Sequence, residues 1–134
     1  MKQRWLFKTE PSAYSFARLE AERRTVWDGV KNALALKHLA AVATGDEVLV
    51  YHTGDEKAAV GIARAARGAY PDPKDPKLVV VDLEAARALP RAVTLAEMRA
   101  NKQLAGFDLL RLPRLSVMPV SAAQWTEILR MARG

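Results

Sequence analysis

Apolar and polar positions follow two different periods along this chain, and the switches between them mark out its elements. Arg4 to Lys8 form an apolar, aromatic run that Pro11 closes, which predicts a strand entering a turn at Thr9-Glu10-Pro11-Ser12. Ser15 to about Arg24 predicts a short helix. Thr25-Val26-Trp27-Asp28-Gly29, β-branched and aromatic before a glycine, predicts a short extended segment. From Asn32 as N-cap, Leu36, Leu39, Ala40 and Ala43 recur at helical spacing, and Gly45 stands where a left-handed C-terminal residue is wanted. Asp46 to Thr53 and Leu78 to Leu83 are apolar on both faces, as strands buried inside a curved or closed sheet are. Between them, Ala58 to Ala69 sends opposed signals. Its alanines favour helix, whereas Val60, Gly61 and Ile62 between two strands favour a third strand, and strand is the reading adopted.

Two further helices are marked by reciprocal capping, Thr94 with Glu97 and Ser121 with Gln124. Val93 and Met98 form a hydrophobic staple for the first, and Val120 and Trp125 for the second. Trp125, Ile128, Leu129 and Ala132 then make the stripe that seats the last helix, whose Arg130 and Arg133 suit its C-terminal dipole. Leu112 to Val120, bounded by prolines, predicts a strand at a sheet margin. Tyr70-Pro71-Asp72-Pro73-Lys74-Asp75-Pro76 predicts a stiff, extended loop that is no central strand. Five or six strands with four short helices predict an α+β fold, a small and strongly bent sheet with helices over its open ends.

Composition narrows the chemistry. With 134 residues, half of them hydrophobic, the chain fits one globular domain. It contains no cysteine, so disulfides, thiolate metal sites and cysteine nucleophiles are excluded, and a cytoplasmic location is expected. No apolar stretch approaches membrane-span length and no signal core opens the chain, so no membrane partner is expected. Two histidines without ligand spacing argue against a metal site, and scattered glycines argue against a phosphate loop; neither a metal nor a cofactor is expected. A net charge of +6 permits a polyanionic partner without specifying one.

The residues suited to recognition are few. Trp27 beside Asp28-Gly29 offers an indole face to a planar ring, or else belongs to the core. Tyr70, at the head of the proline loop, suits an opposing wall. Glu10 suits an exocyclic amino group such as cytosine N4; Lys8, Asn32, Arg114 and Ser116 offer donors to ring carbonyls or phosphate. Each also has an ordinary role, as a surface ion pair or a helix cap. His52 ends a buried strand beside Tyr51 and Thr53, equally suited to a structural hydrogen bond or a ligand contact.

The blocks Trp5-Leu6-Phe7-Lys8-Thr9-Glu10-Pro11-Ser12-Ala13-Tyr14-Ser15, Trp27-Asp28-Gly29-Val30-Lys31-Asn32, Gly45 to Thr53, Tyr70-Pro71-Asp72-Pro73 and Arg114 to Val120 together resemble the EVE domain family, nearly end to end. The resemblance implies a PUA-like fold, a small bent mixed β-barrel with peripheral helices, over residues 1–134. It also implies that a modified nucleobase, such as a methylated or hydroxymethylated cytosine, is held in an aromatic-lined pocket. On that basis Trp27 stacks on the base, Tyr70 and Pro71 approach its other side, Glu10, Asn32 and Ser116 read polar edges, and Tyr51, His52 and Thr53 line the floor. Lys8, Lys31 and Arg114 meet phosphates. Two departures stand out. Lys31 replaces the usual arginine of its block, losing a planar fork, and Thr53 replaces the usual serine.

The expected function is therefore that of a reader without catalytic residues, acting on DNA or RNA as a monomer. Two alternatives remain open at this stage: removal of a modified base with Glu10 or Asp28 as acid or base and His52 as partner, and a small-metabolite pocket.

Overall fold

The computed structural model describes residues 2–134. Its strands are β1 (Arg4–Thr9), β2 (Arg24–Trp27), β3 (Glu47–His52), β4 (Ala58–Asp72), β5 (Asp75–Thr94) and β6 (Val117–Pro119). The helices are α1 (Phe16–Glu22), α2 (Ala33–Ala40), α3 (Leu95–Ala100), α4 (Asp108–Arg111) and α5 (Ala122–Arg133), with a 3₁₀ turn at Lys102–Leu104. All strands join one mixed sheet of order β2-β5-β4-β3-β1-β6, in which β1 and β3 run parallel and the other pairs antiparallel.

Local chemistry explains the element starts. Ser15 and Asn32 cap α1 and α2 by accepting from Arg18 and Ala35 amides, and both expected capping boxes form at Thr94 and Ser121. The apolar run of β3 is buried along five consecutive residues, Val48 to His52, because the strand lies between β1 and β4 with packing on both faces. The disputed alanine segment is strand β4. Gly61 there lets the Phe16 ring lie flat on the sheet: a Cβ at this position would stand 2.4 Å from ring atoms.

The sheet bends because its longest pair is irregular. Five register shifts interrupt the β4–β5 ladder, each adding local twist. Curvature brings the two ends of the sheet together: the Phe7 ring of β1 lies 5.6 Å from the Trp27 ring of β2, although β5, β4 and β3 intervene in the strand order. The outermost strands β2 and β6 do not pair with each other, so the sheet is bent but not closed. A lengthwise seam remains where a barrel would shut.

Three expectations need correction in extent. The proline-rich segment is the tip of the β4–β5 hairpin, where Pro71 pairs with Val79 and only Pro73 and Lys74 turn. This stretch projects beyond the part of β4 that pairs with β3, so the missing amide donors face no neighbour. The strand expected at Leu78 to Leu83 is the middle of a 20-residue β5. The marginal strand expected from Leu112 to Val120 is confined to Val117–Pro119, and a fifth helix, α4, precedes it.

One buried carboxylate pins the start of the sheet. Asp46, 3% exposed, accepts from the Trp5 indole N–H at 2.9 Å, the Ala43 amide at 2.9 Å and the Gln3 amide at 3.0 Å. Three donors from two chain segments thus converge on one side chain between α2 and β3.

Candidate nucleic-acid interface

The seam opens into a cleft of about 690 Å³. One lip is the end of β1, Lys8 and Thr9, with Ser116 just before β6. The other is Thr25, Val26 and Trp27 of β2 and the following loop Asp28 to Lys31. Ala13, Tyr14 and the Arg18 and Glu22 side chains of α1 form the third wall. Gly29 turns the loop away from β2 at a φ of 77°, a conformation side-chain-bearing residues avoid.

Trp27 is 8% exposed and serves both as core and as cleft wall. Phe7 supports it from within, and Tyr14 stands perpendicular to it at 6.1 Å. Tyr14 is fixed in turn. Its hydroxyl donates to the Glu22 carboxylate at 2.7 Å, and the Arg18 guanidinium lies 4.9 Å over its ring while pairing with Glu22 at 3.1 Å. Burial holds the Tyr14 hydroxyl above the ordinary phenol range, with the Thr25 hydroxyl working against it and Glu22 reinforcing it.

Lys8 bridges the β1 lip. Its ammonium donates to the Pro113 carbonyl at 2.9 Å and its amide to the Ser116 carbonyl at 2.9 Å. Half-buried, it has its pKa lowered by desolvation. Among the described residues neither Lys8 nor Lys31 has a carboxylate partner, so their charge is available to an anion. Asp28, exposed in the cleft, likewise makes no ion pair among them.

Of the residues singled out in sequence, Trp27, Asp28, Ser116, Lys8 and Lys31 line this cleft together. The others lie elsewhere. Glu10 turns back to accept from Ser12 and to cover Gly54. Asn32 caps α2 and, with Arg114, borders a neighbouring groove. Tyr51 is buried behind Lys8, whose ammonium lies 5.9 Å from its ring centre, and Thr53 continues the β1–β3 pairing through its amide to Thr9.

His52 is occupied on both nitrogens: Nε2 accepts from the Phe16 amide at 3.0 Å and Nδ1 lies 2.7 Å from Glu56 Oε1. This pairing fixes the neutral tautomer with Nδ1 as donor. The histidine anchors α1 to β3 and does not face the cleft.

Tyr70 is on the wrong face to oppose Trp27, and Pro71, opposite Val79 near the hairpin tip, does not line the cleft. Trp27 pairs with Val81, whereas the Tyr70 hydroxyl donates to Asp82 at 2.5 Å, and adjacent residues of β5 point to opposite faces. There Arg67 covers the Tyr70 ring at 3.7 Å and Arg24 pairs with Asp82 at 3.0 Å. Burial opposes ionisation of Asp82, but the Tyr70 hydroxyl and Arg24 outweigh it and lower its pKa.

The sequence reading missed Tyr14, Arg18, Glu22 and Thr25. A local signal existed for the first three. Tyr14 immediately precedes the cap of α1, and Arg18 and Glu22 are spaced to pair on one helical face. What placed that face on the cleft was the curl of the sheet, which is not local.

Fold and cleft together define a class of protein: a small α+β domain of PUA-like architecture, with a cation-bearing recess where its bent sheet fails to close. A sequence profile of the EVE domain matches residues 3–131, and the chain belongs to the EVE domain family. Thymocyte nuclear protein 1 of Homo sapiens is 26% identical over 167 residues, covering 98% of this chain and 74% of its own length. The NMR structure of a Rhodopseudomonas palustris protein superposes with a TM-score of 0.94 at 40% identity, covering 98% of this chain and 93% of that one. The crystal structure of human THYN1 in complex with DNA containing 5-methylcytosine superposes with a TM-score of 0.92 at 25% identity, covering 99% of each chain.

Proposed function

We propose that this chain is a non-catalytic binder of nucleic acid carrying a modified base, with DNA containing 5-methylcytosine as its first candidate partner. The carrying observation is the recess itself, where an indole wall, hydrogen-bonding groups and two lysines without a carboxylate partner among the described residues line one opening. The similarity to human THYN1, crystallised with DNA of that kind, supports the choice of partner.

In this reading a base leaves its stack and lies against Trp27, a contact that contributes about 1–3 kcal/mol. The Asp28 carboxylate accepts from the exocyclic amino group, the role that sequence assigned to Glu10. Ser116 and Thr25 hydroxyls address the remaining ring edge, and Tyr14 limits the depth of entry. Lys8 and Lys31 hold the flanking phosphates. The base-removal alternative paired Glu10 or Asp28 with His52, and that pairing is not assembled: His52 is bonded to Phe16 and Glu56 away from the cleft in which Asp28 stands.

The test is titration calorimetry at low salt with oligonucleotides that differ at one position: cytosine, 5-methylcytosine, 5-hydroxymethylcytosine or N6-methyladenine. A preference for a modified cytosine that disappears in Trp27→Ala is the expected outcome. Equal affinity for all four, or undiminished binding by Trp27→Ala, refutes the reading.

A further inference from the structure

Beside the cleft, across the segment Pro113 to Ser116, lies a second depression of about 320 Å³. Its floor is apolar, made by Leu34, Leu112 and Pro113, and Leu34 is 42% exposed. Leu34 and Val26 are the two exposed large apolar side chains among the described residues, and an aliphatic side chain left half in water marks a contact surface when a rim of polar groups surrounds it. Here the rim is cationic. Arg111 is engaged by Asp108 at 2.8 Å, but Arg114 makes no ion pair among the described residues. Asn32 spends its Oδ1 on the α2 cap and keeps its amide donors free among the same residues.

The two depressions share a wall. Pro113 contributes its ring to the groove and its carbonyl to the Lys8 ammonium of the cleft, while Lys31 and Asn32 are consecutive residues, one in each. Lys8 and Lys31 in the cleft and Arg114 in the groove therefore put cations on both sides of the shared wall. A polyanion crossing that wall would bring a planar, largely apolar group within reach of Leu34 and Pro113.

Resting on the reader function proposed above, we propose that this groove is a second nucleotide subsite: it takes the base next to the one inserted beside Trp27, with Arg114 on its phosphate and the Asn32 amide at its edge. Leu34 and Pro113 supply the stacking floor. The consequence is a dependence on sequence context on one side of the modified base only, because the other side of the cleft is bounded by α1 and its Arg18–Glu22 pair.

The experiment uses the full chain and fluorescein-labelled nine-nucleotide DNA strands with a central 5-methylcytosine. An abasic tetrahydrofuran replaces the nucleotide immediately 5′ or 3′ of it. Polarisation should show a loss of at least about fivefold for one of the two abasic strands and almost none for the other. Leu34→Ser and Arg114→Gln, both at exposed positions, should weaken the intact strand by a similar factor. Leu34→Ser should also bind the intact strand and the sensitive abasic strand equally.

If neither abasic strand is weakened while 5-methylcytosine is still preferred and Trp27→Ala still fails, the groove is refuted and the reader stands. If Leu34→Ser keeps the full abasic penalty, the groove is likewise refuted. If no strand prefers 5-methylcytosine over cytosine, both fall together.

Discussion

Replacing Gly61 with alanine tests whether α1 is held against the sheet by one close approach. The added Cβ would stand 2.4–2.5 Å from Cε1, Cε2 and Cζ of Phe16, and that ring is 4% exposed, so it cannot swing into solvent without opening the core. Its backbone is also tied, because the Phe16 amide donates to His52. Overpacking of this kind costs about 1–3 kcal/mol, offset by about 0.5–1 kcal/mol from stiffening the unfolded chain, for a net loss of about 0.5–2 kcal/mol. Phe16→Leu alone loses about 1 kcal/mol of burial. Leucine lacks the three ring atoms that clash, so the double variant should be destabilised no more than Phe16→Leu alone, a coupling of about 0.5–2 kcal/mol. Urea unfolding followed by tryptophan fluorescence, with slopes compared to confirm an unchanged unfolded state, measures all four proteins. Additive losses in the double variant would refute the argument that this ring is the obstacle.

Four further outcomes follow from the geometry. Asp46→Ala, which strands three donors around a buried site, should destabilise by about 3–5 kcal/mol in the same assay. Lys8→Met should weaken nucleic-acid binding at low salt and reduce the slope of log affinity against log salt by about one, as loss of one phosphate contact requires. Asp28→Asn should erode discrimination at the inserted base more than overall affinity, read as the ratio of dissociation constants for 5-methylcytosine and uracil strands. Glu127 is lowered from 4.5 to about 2 by the Arg130 guanidinium and the Asn101 amide. Its contribution is complete above pH 4.5 and is lost as pH falls toward 2, so Glu127→Gln should flatten the acid limb of a stability profile between those values.

What the sequence disclosed divides along the line between local and distant causes. The caps at Asn32, Thr94 and Ser121 were legible because each motif satisfies its own amides within three residues. Strand β3 was legible from unbroken hydrophobicity. The extent of β5 was not, because Ala85 to Pro90 carries alanine, arginine and proline on a stretch stabilised by pairing with β4 rather than by its own preferences. The cleft was half legible. Trp27, Asp28, Lys8, Lys31 and Ser116 line it together, each drawn from a segment whose end was visible as a turn. Tyr70 lies on the other face from Trp27 for a reason no window of sequence contains, since the face a side chain takes depends on a register interrupted by bulges. His52 was given two possible roles, and the amide of Phe16, 36 residues away, selected between them.

A hoop cut at one point springs more easily than a whole one. The strands at the two lips of the seam have no ladder between them, so mutual positioning falls to side chains such as Phe7 and Trp27 and to whatever lodges in the gap. A guest touching both lips acts as the missing rung. Its arrival should therefore slow amide hydrogen exchange in Arg24–Trp27 and Val117–Pro119, the segments flanking the gap, more than in the already braced strand Glu47–His52.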